Sequence, residues 1–362
     1  MEEFIVYDLP YSTSDLEQLS KLLRDVDPII AAWDNDNFDR YKFLFYAEQR
    51  DIHHRECRAL LDLNIIADVV HLCERRRASE SMRRTAALLA FLIVTDTLFD
   101  VGPGSTEFLQ KHDGELANKN VRLFHLADNV NPRAYADIAL GRREALGEAD
   151  IPSGVPENKP FEPKMHYNWD LHYIALLKLT LISFGRGSGV AKFLEYLEWM
   201  WKDFMFSSPS FVFAAIYLSP KPYPKMIKGI GSGNPEQLIA GLRNATWDLV
   251  LAHYWAARTR ESVSTDRMWI FCTFDKALRD VASNLLIASN SGTGETKFRE
   301  LLSRFWPART SPEILHAYDS YLKRKDAPGR AIKAIKDQRD FLPMIDDLEG
   351  QLRLAIRKEV CT

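Results

Sequence analysis

Four stretches of this chain place a carboxylate where a regular element begins, ends or turns its face. The clearest is Met268 to Cys272, a run of bulky apolar and aromatic residues that reads as a short buried strand. Thr273, Phe274 and Asp275 follow it directly, and Lys276 opens a helix. An acid just past the C-terminal end of a buried strand sits where open α/β sheets place their functional crevice. Upstream, Ala59 to Ile66 reads as an apolar strand that ends in Asp62, followed by a helix that Asn64 can cap. Between these, Ile93 to Asp100 reads as a strand, Gly102-Pro103-Gly104 as a turn, and Ser105-Thr106-Glu107 as the start of a helix. Asp248 lies inside a helix four residues after Asn244, on one face above the apolar line Leu242, Ala245, Leu249, Ala252 and Ala256. A carboxylate beside a core stripe is costly without a partner. A divalent metal, an arginine or an excursion to solvent would each meet that need.

Taken in order, these segments resemble the four-acid pattern of PIN-domain nucleases: Leu60-Leu61-Asp62-Leu63-Asn64 before a helix, Glu107 entering a helix, Asp248 within one, and Thr273-Phe274-Asp275 after a strand. The resemblance implies an α/β fold, a Rossmann-like PIN core whose central parallel sheet gathers the acids at its C-terminal edge. It further implies that Asp62, Glu107, Asp248 and Asp275 bind one or two Mg²⁺ or Mn²⁺ ions and hydrolyse phosphodiester bonds in RNA. Asn64 and Thr273 match the polar residues that accompany the first and last acids, and Asn244 supports Asp248 one helical turn away. Asp96 and Asp100 compete with Glu107 for the second position. Use as an endoribonuclease toxin or phage-defence effector also follows from the resemblance, because many single-site PIN enzymes are similar in that role.

Physical chemistry makes this residue set coherent. Hard divalent cations prefer oxygen ligands, and Mg²⁺ keeps water for the substrate phosphate while taking only a few carboxylates. Crowded acids repel one another without metal and tend to take up protons. A bound ion would activate water and neutralise charge on the leaving oxygen, so no His or Ser nucleophile is required.

The elements that must position these acids are spread widely. The chain has 362 residues, enough for two domains or for one α/β domain with large additions. The expected organisation is an extension over residues 1–56, core segments over 57–110 and 235–290, a mainly helical insertion over 111–234, and a helical C-terminal extension over 291–362. In the extension, Phe4 to Tyr7 reads as a strand, Ser14 as a cap for a helix starting near Leu16, and Tyr41 to Gln49 as a further helical piece. His53, His54 and Glu56 resemble a metal cluster by type, but adjacent histidines do not share a helix face. Asn131 to Pro163, rich in Pro, Gly and charge, reads as a connecting segment, extended above all over residues 153–163. Helices are expected over Leu171 to Ile182 and Val190 to Phe206, whose aromatic stripe reads as packing. Asn234-Pro235 supplies a cap and a first-turn proline for the helix bearing Asp248.

Charge and cysteine usage narrow the function classes. A formal net charge of -3 argues against a broad basic surface, so RNA contact has to be local. Candidate substrate-binding residues are Arg76 and Arg77 in the Glu74 to Arg77 break, Lys225 in the Pro-restrained segment Tyr217 to Gly229, and Lys276 and Arg279 after Asp275. Cys57, Cys73, Cys272 and Cys361 form no CxxC pair, the N-terminus lacks a signal-peptide layout, and no apolar run reaches membrane length, which together point to the cytoplasm. An inhibitory protein partner and self-association through the helical tail stay open. The alternative reading is a catalytically degenerate PIN-like module for RNA binding or protein docking. A nucleotide-cofactor enzyme is disfavoured by the lack of a Gly-rich loop after Asp62.

Overall fold

The computed structural model describes residues 7–32, 39–111, 114–152, 168–262, 265–285, 293–324 and 341–360. Its chain divides into two compact units, one formed by Met1–Met165 with Ala257–Arg279, the other by His166–Ala256 with Asp280–Thr362. The expectations for Phe4 to Val6, for residues 153–163 and for Cys361 lie outside the described residues.

The first unit is mixed α/β. In chain order it contains α1 (Thr13–Val26), β1 (Ile29–Ala31), α2 (Phe43–Asp51), β2 (Glu56–Leu61), α3 (Leu63–Cys73), α4 (Glu80–Val94), β3 (Leu98–Asp100), α5 (Gly102–Lys111), α6 (Gly114–Ala127) and α7 (Pro132–Ala139). After the second unit's α8 (Trp169–Phe184), α9 (Gly189–Lys202), α10 (Ser208–Tyr217) and most of α11 (Pro235–Glu261), the chain returns to add β4 (Arg267–Cys272). The second unit then continues from within α12 (Lys276–Ser283) through α13 (Thr293–Phe305), α14 (Ser311–Arg324) and α15 (Phe341–Val360).

The four strands form one sheet in the order β1-β4-β2-β3. Strand β2 is parallel to both neighbours, whereas β1 joins β4 antiparallel at the edge. The segment before residue 57 therefore contributes an edge strand and packed helices to this unit. Successive parallel strands fall on opposite sides of β2, which puts a topological switch point between β2 and β4. Burial follows the sequence: Ala59, Leu60 and Leu61 in β2 and Ile270, Phe271 and Cys272 in β4 are fully enclosed. Strands covered on both faces read as continuous apolar runs, as these do.

Helix α4 is apolar around its whole circumference from Ala86 to Leu92 and is buried to match, packed between α1, α3 and α7. The expected strand over Ile93 to Asp100 is corrected here. Its first two residues finish α4, Thr95 and Asp96 make the turn, and only Leu98–Asp100 pairs. An apolar run beside a turn carries no periodicity of its own, so helix end and strand were indistinguishable in the sequence. Gly102-Pro103-Gly104 is likewise the first turn of α5 and not a separate turn. Ser12 caps α1, its Oγ accepting the Asp15 N–H at 3.1 Å, in place of the expected Ser14. In the expected connector after Asn131, Asn131 caps α7 and Pro132 opens it, the asymmetry that favours Pro in a first helical turn.

The second unit is helical. Apolar α8 lies at its centre, with α9, α10 and α15 packed against it. Asn234 Oδ1 accepts the N–H groups of Glu236 and Gln237 at 3.0 and 3.3 Å, so the expected cap and proline start of α11 are present.

Candidate functional site

Register alone brings two of the acids side by side. Leu61 pairs with Cys272 as the last residues of β2 and β4, so Asp62 and Thr273 leave the sheet together. The Asp62 N–H donates to the Cys272 carbonyl at 3.0 Å, extending the ladder one step beyond the strands. Thr273 Oγ1 then donates to Asp62 Oδ2 at 2.9 Å and accepts the Asp275 N–H at 3.0 Å. One hydroxyl thus links the Asp62 carboxylate to the Asp275 main chain. Asp275 Oδ1 accepts the Leu278 N–H at 2.9 Å and caps α12.

Asp62 occupies the N-cap position of α3 without a side-chain capping bond. The expected cap, Asn64, instead sits in the first turn and donates from Nδ2 to Asp62 Oδ2 at 3.2 Å. Asp62 is 1% exposed. Burial raises its carboxyl above the ordinary range, the donors Thr273 and Asn64 oppose that rise, and the negative charge of Asp275 adds to it. Asp275 itself is exposed.

Glu107 lies in α5 and is 3% exposed. A Cβ on Gly104 would stand 2.5 Å from Ile66 Cδ1 and 3.8 Å from the Leu61 carbonyl, so the first turn of α5 abuts the junction of β2 and α3. Glu107, three residues further along, therefore belongs to the same end of the sheet as Asp62. Asp100 shares that end through the Leu60 to Asp100 pairing and uses Oδ1 to accept the Gly102 N–H at 3.0 Å. Asp96 precedes β3, at the amino end of the parallel strands, and reaches Arg50 at 3.7 Å. That register removes Asp96 as a candidate second acid. Asp248, with Asn244, belongs to the second unit and is half-buried on α11.

The basic candidates have varied surroundings. Arg76 and Arg77 are exposed and pair with Glu74 at 2.6 Å and Glu144 at 2.9 Å. Arg279 is structural in its contacts: Nη1 donates to the carbonyls of Val26 at 2.9 Å and Asp27 at 2.7 Å, where α1 meets β1. Lys276 is exposed beside Asp275, and Lys225 is exposed in the second unit with φ at 60°. His53 approaches Glu48 at 3.8 Å.

Among the described residues, no group of three or more His, Cys, Asp or Glu side chains is arranged to hold a metal ion. The donors available to a hard cation are then those at the sheet edge. Asp62 and Asp275 supply oxygen ligands of mutually unfavourable charge, and Mg²⁺ is commonly bound by one or two carboxylates completed by water and substrate phosphate. This pair fits an open site of that kind and not a closed cage.

Sequence reasoning passed over a buried polar cluster in the second unit. His172 is fully enclosed, with Nδ1 at 3.0 Å from Ser207 Oγ and 3.2 Å from Ser210 Oγ, and Nε2 at 3.0 Å from His253 Nδ1. A histidine within the apolar run of α8 was the available signal, since a buried imidazole needs partners.

No helix among the described residues is long and apolar enough to cross a membrane. The chain is thus of the mixed α/β class, with acids at the carboxyl edge of a small, mostly parallel sheet. Comparison with family models, curated proteins and solved structures finds no match.

Proposed function

We propose that the protein is a PIN-like, metal-dependent endoribonuclease with its Rossmann-like core in the first unit, acting in the cytoplasm as a toxin or defence effector. The observation that carries this reading is the Asp62-Thr273-Asp275 linkage at the switch point between β2 and β4, where α/β sheets bind ligands. Asp62 and Asp275 are the residues that would hold Mg²⁺ or Mn²⁺, with Glu107 as a further acid at the same end of the sheet; Asp248, in the second unit, is not part of this pair. A bound ion would supply Lewis acidity and an activated water at the phosphodiester. The chain's own residues hold the acids in register: Thr273 ties the Asp62 carboxylate to the Asp275 main chain, the Leu278 N–H holds the Asp275 carboxylate, Asn64 orients Asp62, and the strand ends exclude water from one side of the buried acid. Lys276, exposed next to Asp275, is the cation that would meet a substrate phosphate.

The test is cleavage of structured RNA by the purified full-length chain with Mg²⁺ or Mn²⁺. Asp62→Asn and Asp275→Asn are each expected to lower the rate by about 100-fold or more, comparable with removal of other preorganised charge stabilisers. Cutting that survives both substitutions would exclude this site as its source.

A second reading, a sheet-edge module that binds RNA or protein without cutting, is favoured by one observation: no three-ligand group among the described residues. It requires RNA affinity insensitive to all four acids and no acid-dependent metal uptake, which titration with Mn²⁺ decides.

A further inference from the structure

The second unit contains a cavity of about 560 Å³, within the size range of small-molecule and cofactor sites. Its walls come from the end of α8, the start of α9 and the Pro-rich segment after α10. Phe184, Tyr217, Tyr223, Met226 and Ile230 give it apolar and aromatic surface, while Lys192 and Lys225 are its charged lining residues. No Asp or Glu lines it.

The cavity is held in shape by its own loop. Met226 and Ile227 are buried, and the backbone beyond them lies hard against α11: a Cβ on Gly229 would stand 2.6 Å from the Gln237 carbonyl, and one on Gly241 would overlap the Lys228 carbonyl. Tyr223 is tied by its hydroxyl to Asp280 at 2.7 Å, and Lys192 donates to the Ser183 carbonyl at 2.7 Å. Lys225 is held at φ 60°, a left-handed conformation uncommon for a residue with a side chain. Flat apolar walls accept a nucleobase of any identity, because every base has a π-face. Separate ammonium groups in a lining that contains no carboxylate suit a multiply charged phosphate as point charges.

We propose that this cavity binds a nucleoside monophosphate, with the base against the aromatic wall and the phosphate beside Lys225 and Lys192. The ligand is either a free mononucleotide or the terminal nucleotide of an RNA strand. The proposal goes beyond the nuclease reading and does not depend on it, since none of the four acids lines the cavity.

The experiment is titration of the full-length protein with AMP, in chelator-containing buffer that prevents cutting. AMP is expected to saturate one site, with adenosine and inorganic phosphate each bound about tenfold more weakly or worse. Lys225→Glu is expected to weaken AMP binding by about tenfold or more, whereas Lys297→Glu, an equal charge change outside the lining, leaves it unaltered. Lys225→Gly removes the charge while relieving the backbone, so the same loss of binding should come with an unchanged or higher Tm. Asp62→Asn should bind AMP like the parent, which separates this site from the proposed active site. Displacement of AMP by a 5′-phosphorylated oligoribonucleotide assigns the ligand to a strand end, and failure of displacement assigns it to the free nucleotide. Absence of AMP binding, binding no tighter than phosphate alone, or indifference to both Lys225 substitutions would overturn the proposal.

Discussion

Asp62 combines two properties that pull in opposite directions: full enclosure, which favours its neutral form, and two side-chain donors, which favour its charged form. Burial wins, and the folded carboxyl titrates above its unfolded value. The folded state then holds a proton that the unfolded state has lost, so stability falls as pH rises from the unfolded carboxylate range through the raised folded value, and the cost persists above it. Asp62→Asn should therefore raise the Tm at neutral pH, measured by thermal unfolding with metal chelated. Mg²⁺ should raise the Tm of the parent but not of this variant, a metal readout independent of cleavage. Thr273 makes the complementary case. Thr273→Val removes the hydroxyl that serves both acids and should cost about 1–3 kcal/mol in urea unfolding. Thr273→Ser should restore most of it.

At the scale of elements, close backbone approach sets the tolerances. Gly241 lets α11 pass against the Lys228 carbonyl, and because the opposing group is main chain, no rotamer change can relieve a methyl there. Gly241→Ala is expected to destabilise by about 1–3 kcal/mol, read from the denaturation midpoint. The mostly parallel α/β sheet was legible from the strands before Asp62 and before Thr273, because apolar runs bounded by helix starts leave few alternatives. The Thr273 linkage was visible only as a matching residue, since a hydrogen bond across 211 positions depends on register that neither segment encodes alone. The antiparallel edge strand β1 was not legible: three residues, Ile29–Ala31, carry no measurable alternation. The helix at Pro132 was hidden by Pro and charge, which mark connectors and helix starts alike. Arg279 resembled a phosphate contact by position, yet its guanidinium satisfies main-chain carbonyls at the end of α1.

At the scale of the molecule, each unit carries its own polar vulnerability. In the second, burial holds His172 neutral and its pKa well below the ordinary value, with His253 acting in the same direction. The unfolded chain binds a proton there that the folded chain refuses, so stability should decline as pH falls below about 6.5. Urea unfolding followed between pH 5 and about 8 should show that slope, and His172→Gln should flatten it. The chain's route between units has a different consequence, since β2 pairs with a strand that comes after α8 to α11 in sequence. At about 5–20 residues per second of synthesis, Asp62 leaves the ribosome roughly 10–40 seconds before Thr273 and Asp275. A nascent chain thus lacks the Asp62-Thr273-Asp275 linkage for most of its translation, and a chain that ends before β4 cannot form it.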